Sequence, residues 1–151
     1  MKKIRILIAD DHTVVRIGLS ALLGSQRDLE VVGEADNGNI AVQEALRLRP
    51  DIVIMDLMMP LKDGVEATIE IRKRVPAAKI IVLTSYGTSD GIAHALNAGA
   101  SGALTKTADD DSLIAAVRAV AAGGRFVSPR VEKTLKESPP VPELTERQQD
   151  I

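Results

Sequence analysis

Five polar residues stand directly after short apolar runs, and their types suit phosphoryl and metal chemistry. Asp10 and Asp11 follow IRILIA, Asp56 follows IVIM, Thr84 follows KIIVL, and Lys106 follows GALT. Three carboxylates gathered in one crevice repel one another unless a cation joins them. Oxygen donors without a His or Cys cluster suit a hard divalent ion such as Mg²⁺, or Mn²⁺. His12 adjoins the acidic pair but is not expected as a ligand to such an ion. The Thr84 hydroxyl and the Lys106 ammonium could hold the oxygens of a phosphoryl group and neutralise charge developing during its transfer. Taken singly, each residue has a bland explanation: an acidic loop start, a strand-end Thr, a solvated Lys. Their joint meaning depends on whether the fold brings the ends of these runs together.

The chain alternates short β-branched runs with longer helical stretches, the pattern of βα units and a parallel sheet. Strands are expected over Ile4 to Ala9, Leu29 to Ala35, Ile52 to Met55, Lys79 to Leu83 and Gly102 to Thr105. The second reads as the weakest and as an edge strand, whereas the third and fourth are apolar throughout, as strands buried on both faces are. Helices are expected over Thr13 to Leu23, Ile40 to Leu48, from an Asp63 cap to Arg74, Ser89 to Ala98, and Asp109 to Ala122. In the first helix Val14, Val15, Ile17, Leu19, Leu22 and Leu23 supply the apolar positions, and Arg16, like Arg72 and His94 further on, reads as a solvated helix residue. Five such units predict an α/β, three-layer, flavodoxin-like (βα)5 fold with a parallel five-stranded sheet in the order 2-1-3-4-5. That order makes the carboxyl ends of the first and third strands neighbours and puts the functional crevice there.

Composition narrows the class. With 45% hydrophobic residues, the chain can fill a core without staples, and with only Tyr86 and Phe126 as aromatics that core must be Ile, Val, Leu and Ala. The lack of cysteine excludes a disulfide framework and thiolate metal sites. No apolar stretch approaches the length of a membrane span, and a net charge of −2 gives no general attraction to nucleic acid. The chain reads as soluble and cytoplasmic, without a membrane partner. Beyond Gly124, Ser128-Pro129 opens a short helix over Pro129 to Lys136, and Ser138-Pro139-Pro140-Val141-Pro142 is a stiff linker. Thr145 and Gln148 then form a capping box for a helix that the chain does not complete before Ile151, which suggests a piece of a longer protein.

Asp10-Asp11, Asp56 in DLMMP-x-x-DG, Thr84-Ser85, and Lys106 after GASGALT together resemble the receiver domain of a two-component response regulator. The tail, with GGRFVSP, the Pro-rich linker and LTERQQDI, resembles the NarL/FixJ subfamily, whose output is a LuxR-type helix-turn-helix domain. The resemblance implies a receiver over residues 1–125, a linker with a short helix over 126–143, and the first residues of a truncated helix-turn-helix domain over 144–151. It further implies that Asp56 is the phospho-acceptor for a sensor histidine kinase, and that Asp10, Asp11, Asp56 and the Met58 backbone carbonyl hold Mg²⁺ or Mn²⁺. Thr84 and Lys106 resemble the phosphoryl-binding hydroxyl and amine. Met59-Pro60 and Asp63-Gly64 resemble the turn and helix start after the acceptor. Such a protein is a switch that catalyses its own phosphotransfer and dephosphorylation rather than an enzyme with a separate substrate. It regulates transcription, forms a homodimer in some settings, and touches DNA only through the domain missing here. The surface of the fifth helix (Ile114, Ala115, Val117, Ala121) is a candidate dimer face or else core.

This chain departs from the family pattern at four positions. The position three before Lys106, commonly Tyr or Phe, is Ala103, so the usual aromatic switch is absent; the residue after Lys106, often Pro, is Thr107. Met58 and Tyr86 stand where polar groups often tune hydrolysis, and both are expected to restrict water and lengthen the phosphoryl lifetime. Two other readings stay open. One is a phosphohydrolase of the haloacid dehalogenase type, although its D-x-D-x-T motif is replaced by Asp10-Asp11-His12. The other is an interaction module independent of phosphorylation, to which Ala103 lends weight.

Overall fold

The computed structural model describes residues 2–85 and 89–137. The chain order is β1 (Ile4–Ala9), α1 (Thr13–Gly24), β2 (Leu29–Ala35), α2 (Gly38–Leu48), β3 (Ile52–Asp56), α3 (Gly64–Arg74), β4 (Lys79–Thr84), α4 (Ser89–Asn97), β5 (Gly102–Thr105), α5 (Asp110–Ala121), β6 (Phe126–Val127) and α6 (Pro129–Glu137). All strands pair in parallel, in the order β2-β1-β3-β4-β5-β6. The expected order is present, with a sixth strand added at the β5 edge.

The period-2 alternation of each strand splits its apolar side chains between two helical layers. Leu7, Val53, Met55, Ile80 and Val82 face a core closed by α2, α3 and α4, whose contacts are largely small residues such as Ala41, Ala45, Ala67 and Ala95. Ile6, Ile8, Ile52, Ile54, Ile81 and Leu83 face the other core, with Leu23 of α1 and Leu113, Ile114, Ala116, Val117 and Val120 of α5. Burial on both faces explains why β3 and β4 carry almost no alternation in sequence.

Capping starts α3 at Asp63 as the sequence suggests, and Asn37 and Asp109 cap α2 and α5 as well. Asp63 and Glu66 form a reciprocal capping box at α3, and the Asn37 and Asp109 side chains accept from the Ile40 and Ser112 amides. The face of α1 needs correction, and that of α5 resolves between its two alternatives. Val15, Leu19, Leu22 and Leu23 form a single inward stripe on α1, whereas Val14 and Ile17 lie off it and are 81% and 62% exposed. On α5, Ile114 and Val117 are core, and of the proposed dimer face only Ala115 and Ala121 are exposed.

Phe126 and Val127 extend the sheet by pairing with Gly102 and Ala103, and the Ser128 amide donates to the Ala103 carbonyl at 3.0 Å. Helix α6 then packs against β5 and α4, with Val131 fully buried in the same core as Ala103. A small residue at 103 is therefore a packing requirement here: the core around it is closed by α6. Overpacking a filled core costs about 1–3 kcal/mol. Ala103→Tyr is expected to lower stability by about that amount and to loosen α6. Because the chain has no cysteine, a Val131→Cys thiol reports this directly. Its labelling should be slow in the parent and about tenfold faster for each ~1.4 kcal/mol of lost docking in the Ala103→Tyr background.

Candidate functional site

Strand register decides which polar residues meet. Ala9 pairs with Met55, so Asp10 lies beside Asp56 one step further on. Asp56 pairs with Leu83, Thr84 pairs with Thr105, and the Lys106 amide donates to the Thr84 carbonyl at 2.8 Å. The five residues singled out from sequence thus share one end of the sheet. Asp10, Asp56 and Thr84 are only 2%, 3% and 5% exposed.

The charges sit close together. Lys106 Nζ is 2.7 Å from Asp10 Oδ2 and 3.2 Å from Asp56 Oδ2, bridging the two buried carboxylates as an ion pair. Neither contact has hydrogen-bond geometry, so Asp56 Oδ2 and Lys106 Nζ are the buried side-chain polar atoms without a hydrogen bond among the described residues. Asp10 Oδ1 accepts from the His12 amide at 2.8 Å, and the Met58 amide reaches Asp56 Oδ1 at 3.4 Å. Ligand atoms of Asp10, Asp11, His12 and Asp56 all lie within 4.8 Å of one another. His12 enters this group through Nδ1, 2.9 Å from Asp10 Oδ1 and 3.2 Å from Asp11 Oδ1, nearer than the sequence suggested.

Three carboxylates against one ammonium leave two uncompensated negative charges, the charge of one divalent ion. Burial, and next the charge of Asp10, push the Asp56 carboxyl above its ordinary range, and Lys106 and the Met58 amide offset this only in part. For Lys106, burial acts to lower the ammonium's pKa, but the contact with Asp10 and the charges of Asp56 and Asp10 outweigh it and leave the value raised. A hard cation is what these oxygens lack, so the residues fit Mg²⁺.

The loop after β3 is held by close backbone approach. The Gly64 amide donates to the Leu57 carbonyl at 2.9 Å, and a Cβ at Gly64 would stand 2.2 Å from the Asp56 carbonyl oxygen. Only glycine lets α3 start this near the end of β3. The Met58 side chain is 78% exposed, on the outer rim, and Tyr86 lies outside the described residues.

Two arginines read from sequence as solvated are engaged instead. Arg72 Nη1 donates to the carbonyls of Pro76 and Ala78, and Arg16 Nη1 donates to the Asp10 carbonyl. The available signal for Arg16 was its position near the start of α1, where a cation opposes the helix dipole and needs an offsetting contact.

Because the Asp56 pKa is raised on folding, its carboxylate costs nothing below the ordinary value of 3.8, and the cost is complete above the folded value. Asp56→Asn is therefore expected to melt a few degrees above the parent in metal-free buffer at pH 7. The gap should close as pH falls toward 3.8. Mg²⁺ at 100 times its Kd should stabilise the parent by about 2.7 kcal/mol and the variant far less. Equal melting of the two proteins at pH 7 without metal would contradict this.

Comparison with known proteins agrees with this geometry. Residues 6–118 match the response regulator receiver domain model. The chain is 40% identical over 133 residues to the transcriptional regulatory protein DegU of Brevibacillus brevis, covering 88% of this chain and 56% of DegU. It is 39% identical to the response regulator protein VraR of Staphylococcus aureus, covering 98% of this chain and 73% of VraR. It thus spans about half of the first relative and about three-quarters of the second. A crystal structure of a LuxR-family two-component response regulator from Aurantimonas sp. SI85-9A1 superposes with a TM-score of 0.85 at 38% identity, over 90% of this chain and 97% of that one. The shared sheet order, the acidic cluster at its carboxyl edge and these matches make the chain a member of the response regulator receiver family, with LuxR/NarL-type regulators as its relatives.

Proposed function

We propose that Asp56 is the phospho-acceptor of a two-component switch, and that Asp10, Asp11, Asp56 and the Met58 carbonyl hold a Mg²⁺ ion. The observation that carries this reading is the Lys106 ammonium lying between Asp10 Oδ2 and Asp56 Oδ2 while Asp56 Oδ2 has no hydrogen bond. A carboxylate left so is available to react. Asp56 Oδ, as the carboxylate, attacks the phosphorus of a phosphohistidine on a sensor kinase, or of a small acyl phosphate; the O–P bond forms as the bond to the donor breaks, the departing imidazole nitrogen taking a proton from water and an acyl phosphate's carboxylate leaving as the anion. The ion, when bound, neutralises phosphoryl oxygens and the acidic cluster. Lys106 moves from pairing two carboxylates to pairing the phosphoryl group, and the Thr84 hydroxyl donates to the same group. The exposed Met58 side chain and Tyr86 set how readily water reaches it.

The product adds negative charge where Lys106 and Thr84 join β4 to β5, which biases the arrangement of α4, β5 and the elements packed on them. With Ala103 in place of an aromatic, β6 and α6 lie directly on β5 and are the route outward. The receiver then occupies residues 1–125, the linker 126–143, and residues 144–151 begin a LuxR-type helix-turn-helix domain. Transcriptional control through that domain, aided by a homodimer, is the function of the whole protein; the relative DegU is named as a transcriptional regulatory protein. Among the described residues no helix is long and apolar enough to cross a membrane.

Incubation with acetyl phosphate and Mg²⁺, followed by intact-mass measurement, tests this. The expected outcome is one phosphoryl group per chain, lost with Asp56→Asn or excess chelator, and slowed about 10²-fold or more by Lys106→Ala. Sustained phosphate release with no phosphoryl adduct accumulating on the chain would point to a phosphohydrolase. Failure to label would point to a module that works without phosphorylation.

A further inference from the structure

The Arg16 side chain sits among polar groups that converge on Asp10. Its Nη1 donates to the Asp10 carbonyl at 2.6 Å, and its Nε donates to Glu34 Oε1 at 3.0 Å. Glu34 is in turn held by the Ser20 hydroxyl at 3.3 Å, and the Asp10 amide donates to the Ala35 carbonyl at 3.0 Å. The Arg16 side chain is only 16% exposed. Asp10 is thus fixed at every polar atom: amide by β2, carbonyl by Arg16, Oδ1 by His12, Oδ2 by Lys106.

We propose that Arg16 is a positioning residue for the acidic turn, acting through the Asp10 carbonyl to hold Asp10 and Asp11 in the arrangement that binds the divalent ion. The direction of that carbonyl is the direction of the peptide plane joining the two residues, so fixing it fixes where the Asp11 carboxylate starts. Two carboxylates beside Asp56 repel, and a turn free to rotate would let Asp11 swing away toward water. The guanidinium opposes that motion by holding the carbonyl from one side while Glu34 holds the guanidinium from the other. It also spans two acceptors, the Asp10 carbonyl and Glu34, with a rigid fork that Lys lacks. The anchor at Glu34 makes β2, an edge strand with no acidic ligand of its own, part of the cation site.

The inference rests on the reading of Asp10 and Asp11 as cation ligands, and its test separates the two. Mg²⁺ is titrated by calorimetry into wild type, Arg16→Ala, Arg16→Lys and Glu34→Gln without phosphodonor; melting temperature is followed alongside, and acetyl phosphate labelling is measured at saturating Mg²⁺. Groups that orient ligands typically contribute 10–100-fold to metal affinity. Arg16→Ala should therefore weaken Mg²⁺ binding by about tenfold or more, with labelling at saturating Mg²⁺ within about twofold of wild type. Arg16→Lys, which keeps the charge but lacks the fork that spans both acceptors, should fall between the two. Glu34→Gln, which loosens the guanidinium from its far side, provides the reading if Arg16→Ala does not fold, with an affinity loss of about threefold. Lowered melting temperatures with Mg²⁺ affinity unchanged would make Arg16 a mere staple of α1 to β2 and overturn the proposal. A wild-type chain that binds no Mg²⁺ would overturn the metal reading itself, and the inference with it.

Discussion

Everything at the carboxyl edge of the sheet answers to one electrostatic constraint: two buried carboxylates, Asp10 and Asp56, share a single ammonium. Removing carboxylates from water costs several kcal/mol each unless opposite charge replaces the solvent. Lys106 supplies part of that charge and a hard divalent ion suits the remainder. The backbone must then be held against the residual repulsion. Register places Asp10 beside Asp56, Gly64 allows α3 to begin against the Asp56 carbonyl, and Arg16 grips the Asp10 carbonyl. In the proposed switch such a site is poised, because one added phosphoryl group redistributes the ammonium that bridges Asp10 and Asp56.

The readout is built differently from the chemistry. Ala103 is fully buried and shares its core with Val131 of α6. Where an aromatic side chain would swing inward, this chain instead packs an added strand and helix on β5. Direct hydrogen bonds join β5 to β6 and to the start of α6, including that from the Ser128 amide to the Ala103 carbonyl, and in the proposed switch they are the route outward. The sequence feature that looked like a defect is accounted for by the space that α6 fills.

How much of this could be read from residue types alone follows from the range of the forces involved. β3 and β4 are fully apolar runs ending in Asp56 and Thr84, so burial and the polar ending are both written locally. The caps at Asp63 and Asp109 are likewise local. Phe126–Val127 carries too short a pattern to register as a strand; only its pairing with β5 reveals it. The split of α1 into a buried stripe and the exposed Val14 and Ile17 depends on where the helix lies over the sheet. Arg16 was read from polarity as solvated, yet its partners are the Asp10 carbonyl and Glu34, eighteen residues away. Contacts made to backbone carbonyls leave no trace in side-chain composition.

The most direct test of the central claim is a crystal structure of this chain with Mg²⁺ and beryllofluoride, a mimic of the phosphoryl group on an aspartate. The expected result is the adduct on Asp56, contacted by the Thr84 hydroxyl and the Lys106 ammonium, with the ion on Asp10 and Asp11. An adduct on another residue, or an ion seated away from Asp10 and Asp11, would contradict it.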